Sequence, residues 1–248
     1  VGAMANDSGG FIAGGFFPGP FDSIAFWRDS SSAWEPLDGG IELGSVQTMA
    51  NYHKQFAGPD SIMVGGGFQG AGGLTVSNLT KVSSGQHEFL PMDLGFTPFA
   101  FANLGSRLIA AGYGSQLTPL VFPNAIDNIL AWNGADVESL GDFGLNGFSQ
   151  ALVARVDSAT VNSLAVGGAF SMAGNLPANN VALWTENSAT LSKTWSAMGA
   201  GFNNEVLALT VFRSKFVAGG FFTASGGTVL NGVSRFDGSN WMPLTTGL

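Results

Sequence analysis

Cysteine is missing from this 248-residue chain, histidine occurs twice, and only 10% of the residues are charged. Without cysteine there is no disulfide, no thiolate nucleophile and no cysteine-held zinc. The 9 basic residues stand against 17 acidic ones, for a net charge of −8. Binding nucleic acid needs clustered Lys and Arg, so no nucleic-acid partner is expected, and no anionic membrane surface either. Gly and Pro break each apolar stretch before it reaches the ~18 residues of a membrane-spanning helix, so no membrane insertion is expected. Hydrophobic residues still make up 45% of the chain, ample for a packed core. With so few charges, the surface must be built from Gly, Ser, Thr, Asn and exposed apolar groups.

What is there is repetition. One phrase recurs as FIAGGFF, IMVGGGF, LIAAGYG, LAVGGAF and FVAGGFF, beginning at residues 11, 62, 108, 164 and 216. A period of about 50 residues suits a four-stranded propeller blade. After each phrase come a second apolar strand (SIAFW, NLTKV, NILAW, NVALW, GVSRF), a polar turn, and a third strand (AWEPL, HEFLPM, DVESL, TWSAM, NWMPL). SVQTMANY, TPFAFANL, FSQALVAR and EVLALTVF then read as the fourth strand. Short strands split by Gly, Asn and Asp turns indicate antiparallel sheet. The last copy lacks its fourth strand, and residues 1–6 offer a match for it. The expected fold is therefore all-β: a single five-bladed β-propeller over 1–248, with four antiparallel strands per blade. The blades fall at about 11–55, 62–107, 108–159, 164–215 and 216–248 plus 1–6, and the ring is closed by N-terminal strand pairing in the last blade. Closure of this kind removes an exposed sheet edge. The glycines of each phrase are expected where inner strands crowd a central axis. GGGFQG is followed by neither Lys nor a helical pattern, so it does not read as a phosphate cradle.

The wider pattern, V-G-G-x-F, then N-N-I/V-A-x-W, a D-G or N-G turn and W-x-x-L-G, resembles a family of extracellular propeller repeats. They are found in secreted bacterial proteins and in the Rax2-like cortical-marker ectodomains of fungi, and the pattern is distantly kelch-like. LAVGGAFSMAGNLPANNVALW, with TWSAMGAGFNNEVLAL after it, carries the resemblance most fully. The third copy departs, with AAGYG and a long insertion, and the second lacks both tryptophans. The resemblance covers nearly the whole chain. It implies an extracellular or cell-surface location and a non-catalytic role, though one fold hosts many functions.

Catalytic chemistry finds little support. Glycoside cleavage needs a pair of carboxylates, and sugar-cleaving five-bladed propellers set theirs around the central funnel. The five glycine phrases contain no Asp or Glu, and Asp22, Asp60 and Asp127 lie in flanking loops in different registers. Turn and cap roles account for them. His53 and His87 fall in different copies and share no carboxylate that would complete a metal site. The acids near DSGG, WRDSSS and DFGLN lack the regular spacing of a calcium loop. No G-x-S-x-G elbow occurs. No catalytic residue, metal or cofactor is expected.

Three function classes remain. The leading one is an interaction or structural module of an extracellular or cell-surface assembly, whose partners are proteins or neighbouring domains. The second is a multivalent lectin. Asn78, Asn128, Asn180 and Asn231 recur near the start of the second apolar strand, and Asn128, Asn180 and Asn231 are its candidate sugar contacts. The preferred reading of these side chains is loop capping through bonds to nearby backbone. Trp34, Trp195 and Trp241 also recur, and blade packing is preferred to a sugar platform. The third class is a hydrolase with loop-borne carboxylates. Asn6 and Asn78 stand in N-x-S/T sequons and would carry glycans in a eukaryotic secreted protein. Finally, GSQLTPLVFPNAID gathers Leu117, Leu120, Val121 and Phe122 in a segment that holds two prolines. That is too much apolar surface for an idle loop, and these residues are expected to contact a partner or a neighbouring domain.

Overall fold

The computed structural model describes residues 2–7, 9–17, 19, 21–52, 61–88, 90, 94–114, 128–141 and 143–244, and these contain strands and no helix. Leu117, Leu120, Val121, Phe122, Asp60, Asp127 and His53 lie outside the described residues. The chain divides into two compact units, Val1–Phe101 and Ala102–Leu248.

Five four-stranded antiparallel sheets follow one another along the chain. The first runs through Ala3–Asp7, Gly10–Gly14, Ile24–Arg28 and Ala33–Pro36, and the second through Ser45–Tyr52, Ser61–Gly67, Leu79–Ser83 and Gln86–Glu88. The third is Thr97–Leu104, Arg107–Tyr113, Ile129–Trp132 and Val137–Ser139. The fourth is Phe148–Val156, Val161–Ala169, Val181–Asn187 and Ser192–Ala197, and the fifth Val206–Phe212, Lys215–Gly220, Val233–Phe236 and Trp241–Pro243. The repeated four-stranded sheets make the architecture propeller-like.

The sequence period is right, but its phase is off by one strand. Ser45–Tyr52 pairs with the following phrase (Met49 opposite Val64), not with the sheet before it, and Val206–Phe212 likewise pairs with Lys215–Gly220. Each repeat therefore begins one strand earlier than expected. The N-terminal strand correspondingly pairs with its own phrase, Met4 opposite Ala13, and not with the last sheet. The expected closure by strand exchange is thus replaced by local pairing. The cause is a tight hairpin. Arg213 and Ser214 both have positive φ, 48° and 58°, between Phe212 and its partner Lys215, the conformation of a two-residue I′ turn. Such a turn costs far less loop-closure entropy than joining the two ends of the chain.

Within each unit, neighbouring sheets pack face to face. In the first unit, Ile12, Ile24, Phe26 and Leu37 pack against Val46, Ile62, Val64, Phe68 and Val82 of the second repeat. In the second unit, Ile109, Ile129 and Leu140 of the third repeat meet Leu164, Val166, Phe170, Trp184 and Trp195 of the fourth. Ala165, Val181 and Met198 of the fourth then meet Phe216, Ala218, Phe222 and Trp241 of the fifth. Along LAVGG, successive residues thus face the preceding and the following repeat in turn. This is why the phrase is apolar throughout and does not alternate. The face toward the preceding repeat is called leading here, and the other trailing.

The two phrase glycines do different jobs. A Cβ at the first would fall 2.4 Å from Met49 at Gly14, 2.5 Å from Phe101 at Gly65 and 2.5 Å from Val206 at Gly167, all side chains from the next repeat. A Cβ at the second would collide with a carbonyl of its own first strand, 2.1 Å from that of Ser45 at Gly66 and 2.2 Å from those of Phe148 and Glu205 at Gly168 and Gly220. The first strand is bulged beside this contact, between Val46 and Thr48, Ser149 and Ala151, and Val206 and Ala208. A bulge brings backbone close to backbone, and only glycine leaves the space.

Candidate functional site

One residue per repeat is left-handed just before the third strand: Ser23, Asn78, Asn128, Asn180 and Gly232, with φ of 67°, 64°, 61°, 65° and 73°. Apart from Gly, Asn is the residue that tolerates this conformation best. The backbone oxygens of Asn128 and Asn180 accept the N–H groups of Gly112 and Gly168, at 3.0 and 3.1 Å. Their side-chain amides reach forward: Asn128 Nδ2 donates to the Leu145 carbonyl at 3.2 Å and Asn180 Nδ2 to that of Phe202 at 2.9 Å, each just ahead of the next repeat's first strand. Ser23 Oγ does the same for Gly44 at 3.2 Å. Asn128 and Asn180 are therefore engaged in tying repeats together. Asn231 stands one residue ahead of this register, where Gly232 takes the left-handed role. Of the sequon residues, Asn6 is exposed on its strand and Asn78 is half-buried, while Thr80 of the second sequon is buried and donates to the Glu88 carbonyl at 3.3 Å.

The recurring tryptophans are a second tie. Trp195 Nε1 donates to the Leu140 carbonyl at 2.6 Å and Trp241 Nε1 to that of Met198 at 2.9 Å, each on the turn that ends the preceding repeat. In the second repeat this register holds His87, opposite Val82 as Trp195 is opposite Trp184. His87 is buried, and among the described residues neither of its ring nitrogens has a hydrogen-bond partner. Burial pushes its pKa below the ordinary value of 6.5, partly offset by the negative charge of Asp38. The fold thus favours neutral His87, and its stability is complete above about pH 6.5. As pH falls below that, the unfolded chain takes up the proton first and stability declines until the folded-state pKa is passed. The urea midpoint is expected to drop between pH 8 and pH 5 by more in the wild type than in His87→Phe. Equal drops would contradict this.

Charged groups form a third tie. Arg107 of the third repeat bonds Glu186 of the fourth and, at 3.3 Å, Glu138 of its own sheet, while Trp184 Nε1 donates to Glu186 at 3.1 Å. Burial alone would raise the Glu186 pKa, but the bonds from Arg107 and Trp184 and the Arg107 charge hold it below the usual carboxylate value. Arg107→Met would leave this largely buried carboxylate without its cation. The expected cost is roughly 3 kcal/mol, and most of it should vanish when Glu186→Gln is added, as a double-mutant cycle by urea unfolding would read.

Two clefts lie between adjacent repeats. One of about 700 Å³ is lined by Asn6, Asp7, Phe26, Arg28, Glu35 and Asn51, among others, and one of about 480 Å³ includes Arg155, Asp157, Lys215, Phe216 and Phe236. Each holds an arginine stacked on a phenylalanine, Arg28 over Phe26 at 4.9 Å and Arg155 over Phe216 at 4.2 Å. Both guanidinium groups are already held by carboxylates, those of Glu35 and Asp157. Among the described residues no group of three acidic or histidine side chains is placed to hold a metal ion.

Some registers of the first and fifth repeats are less buried than their equivalents in the other repeats. Ile12, Met63, Ile109 and Ala165 share one trailing register and are fully buried, whereas Val217 in the fifth repeat is half-buried. Ile24, Leu79, Ile129 and Val181 are likewise buried, and Val233 is not. A Cβ on Gly219 would have no neighbour nearer than 3.9 Å. In the first repeat two residues of the leading face are more exposed than their equivalents. Trp34 is 41% exposed against 8% for Trp195 and 1% for Trp241, and Met4, at the register of Met49 and Leu209, is 57% exposed. Phe11, Trp27 and Trp34 form an aromatic cluster there with ring centroids 5.4 to 6.2 Å apart. Nothing in the sequence separates these residues from their buried equivalents.

No family model matches the chain, and no curated protein matches it. Among solved structures, a chain in the crystal structure of the mitotic checkpoint complex superposes with a TM-score of 0.42 at 10% identity, covering 90% of this chain and 72% of that one. The computationally designed Ika8 protein gives a TM-score of 0.41 at 12% identity, covering 94% and 70%. Likeness at this level assigns neither family nor activity.

Proposed function

We propose that the five sheets are blades of a β-propeller and that the chain is a non-catalytic interaction or structural module of an extracellular or cell-surface assembly. The observation that carries this reading is the aromatic cluster of Phe11, Trp27 and Trp34 on the first repeat, where Trp34 is 41% exposed and Met4 of the same sheet is 57% exposed. Contiguous apolar patches of this kind mark contact surfaces. The engagement of Asn128 and Asn180 with backbone carbonyls adds support, since it removes them as ready sugar contacts. The extracellular setting rests on the family resemblance of the repeats. A photo-crosslinking residue at Met4 is expected to join the chain to discrete protein partners at the surface of the source cells, whereas one at exposed Leu191 joins it to none.

A second reading, a lectin, draws on one observation. Phe16, Tyr113 and Phe221 occupy the same position after the phrase glycines and are all exposed, and exposed aromatic faces stack on sugars. Saturable binding on a glycan array, lost on Tyr113→Ala, would favour it over the module. Turnover of a glycoside would overturn both.

A further inference from the structure

We propose that the cleft between the fourth and fifth repeats, where Arg155 stands over an apolar floor, takes an acidic peptide segment of a protein partner, with one carboxylate on Arg155 and an apolar neighbour on the floor. This rests on the reading of the chain as an interaction module and names the chemistry of a partner. The whole cleft belongs to the second unit, and its volume is about 480 Å³. Ligand sites run from roughly 300 to 1,000 Å³. The floor is Leu183 of the fourth repeat with Val211, Phe216 and Phe236 of the fifth.

The joint before it shows what this place accepts. Between the third and fourth repeats stand Arg107, Glu138 and Glu186, the guanidinium held by both carboxylates. Register by register, the next joint has small residues instead. Ser163 precedes Leu164 as Arg107 precedes Leu108, and Ser196 is opposite Leu183 as Glu138 is opposite Ala131. Gly238 follows Phe236 by two residues as Glu186 follows Trp184. A guanidinium is still present, but it comes from the first strand. Arg155 lies over buried Phe216 at 4.2 Å, donates Nη1 to the Ser214 carbonyl at 3.0 Å and holds Asp157. Arg107 binds two carboxylates, whereas Arg155 binds one among the described residues. A guanidinium carries five N–H donors, so Arg155 has capacity for a second carboxylate. Its stacking and its bond to Ser214 fix it beforehand, which lowers the entropy lost on binding. The surroundings favour an anion. Of the 9 basic residues, Arg155, Arg213, Lys215 and Arg235 line this cleft or adjoin a residue that does, against the acidic Asp157 and Asp237, in a chain of net charge −8. The apolar floor favours a peptide over a phosphate- or sulfate-rich polymer, which has no apolar side chain to place there.

The test titrates the whole isotope-labelled chain with acetyl-Leu-Glu-Phe-amide and with acetyl-Leu-Gln-Phe-amide, read by NMR. The first peptide is expected to give saturable shifts at Ser214, Lys215 and Gly238, and the second to bind about tenfold more weakly for want of a charge-assisted bond. Arg155→Gln is expected to abolish this preference. Ser196→Glu, at an exposed strand position, supplies a second carboxylate from within, as Glu138 does for Arg107. It should weaken the Glu peptide by about tenfold with an unchanged unfolding midpoint, and it keeps the test decisive should Arg155→Gln fail to fold. Equal affinity for the two peptides, a preference that survives in Arg155→Gln, undiminished binding in Ser196→Glu, tighter binding of inorganic polyphosphate than of the Glu peptide, or no saturable shift would each overturn the inference. The module reading would then stand or fall separately, on crosslinking at Met4 in the other unit.

Discussion

Trp241→Ala is expected to destabilise the chain by about 3–5 kcal/mol, and Trp34→Ala by less than about 1 kcal/mol. The two residues share a register in repeats of the same sequence pattern. Trp241 is fully buried in the cluster between the fourth and fifth repeats, in contact with the Phe202 and Phe236 rings, and its indole N–H bonds the Met198 carbonyl. Truncation leaves a large cavity and an unpaired carbonyl. Among the described aromatic groups Trp34 contacts Phe11 and Trp27, and it stays exposed. Urea unfolding of the two variants, at a concentration where the chain is monomeric, measures the difference. Similar costs for both would contradict the difference in burial between Trp34 and Trp241.

Gly167→Val is expected to cost roughly 3 kcal/mol or more through overpacking, while Gly219→Val should lie within about 0.5 kcal/mol of the wild type. The added atoms at Gly167 would drive into Val206, whose Cγ1 is 2.5 Å and Cβ 3.0 Å from the new Cβ. A β-branched neighbour has little rotamer freedom with which to give way. At Gly219 the nearest atoms to the new Cβ, the Gly232 oxygen and the Ala208 Cβ, stand at 3.9 and 4.0 Å, ordinary van der Waals contact. The third repeat shows the natural exception. Ala111 replaces the first glycine there, and the fourth repeat carries Ser149 where the others have Val46 and Val206. Size lost on one side offsets size gained on the other. Val206→Ser should accordingly rescue much of the cost of an alanine at Gly167, read again as a shift in urea midpoint.

The repeats, their period and nearly all of the strands could be read in the sequence, because turn residues and apolar runs are local signals. The phase could not. In an unbroken series each strand has a neighbour on both sides, and only the turn says which one it pairs with. Arg213 and Ser214 form the decisive hairpin without the Gly or Asn that would announce it, so Val206–Phe212 was matched to the wrong repeat. Asn231 was matched one residue early for a related reason: the register needs a left-handed residue, and Gly232 meets that need as well as Asn180 does. The capping reading of Asn128 and Asn180 followed from what Asn side chains do beside turns, and their amides do bond backbone carbonyls, though those of the next repeat. The phrase glycines were placed by crowding, but the crowding comes from side chains such as Val206 and from bulged strands. The difference in burial had no signature at all. Trp34 and Trp241 sit in nearly the same words, AWEPL and NWMPL, yet Trp34 is exposed and Trp241 is core.

The central claim is that one repeat-to-repeat interface recurs within each unit and buries the Trp and Met registers it covers, while Met4 and Trp34 stay exposed. Hydroxyl-radical footprinting of the monomeric chain, read residue by residue by mass spectrometry, tests it most directly. The account predicts fast oxidation of Met4 and Trp34 and slow oxidation of Met63, Met198, Trp195 and Trp241. Protection of Met4 and Trp34 to the level of Met198 and Trp241 in the monomer would contradict it.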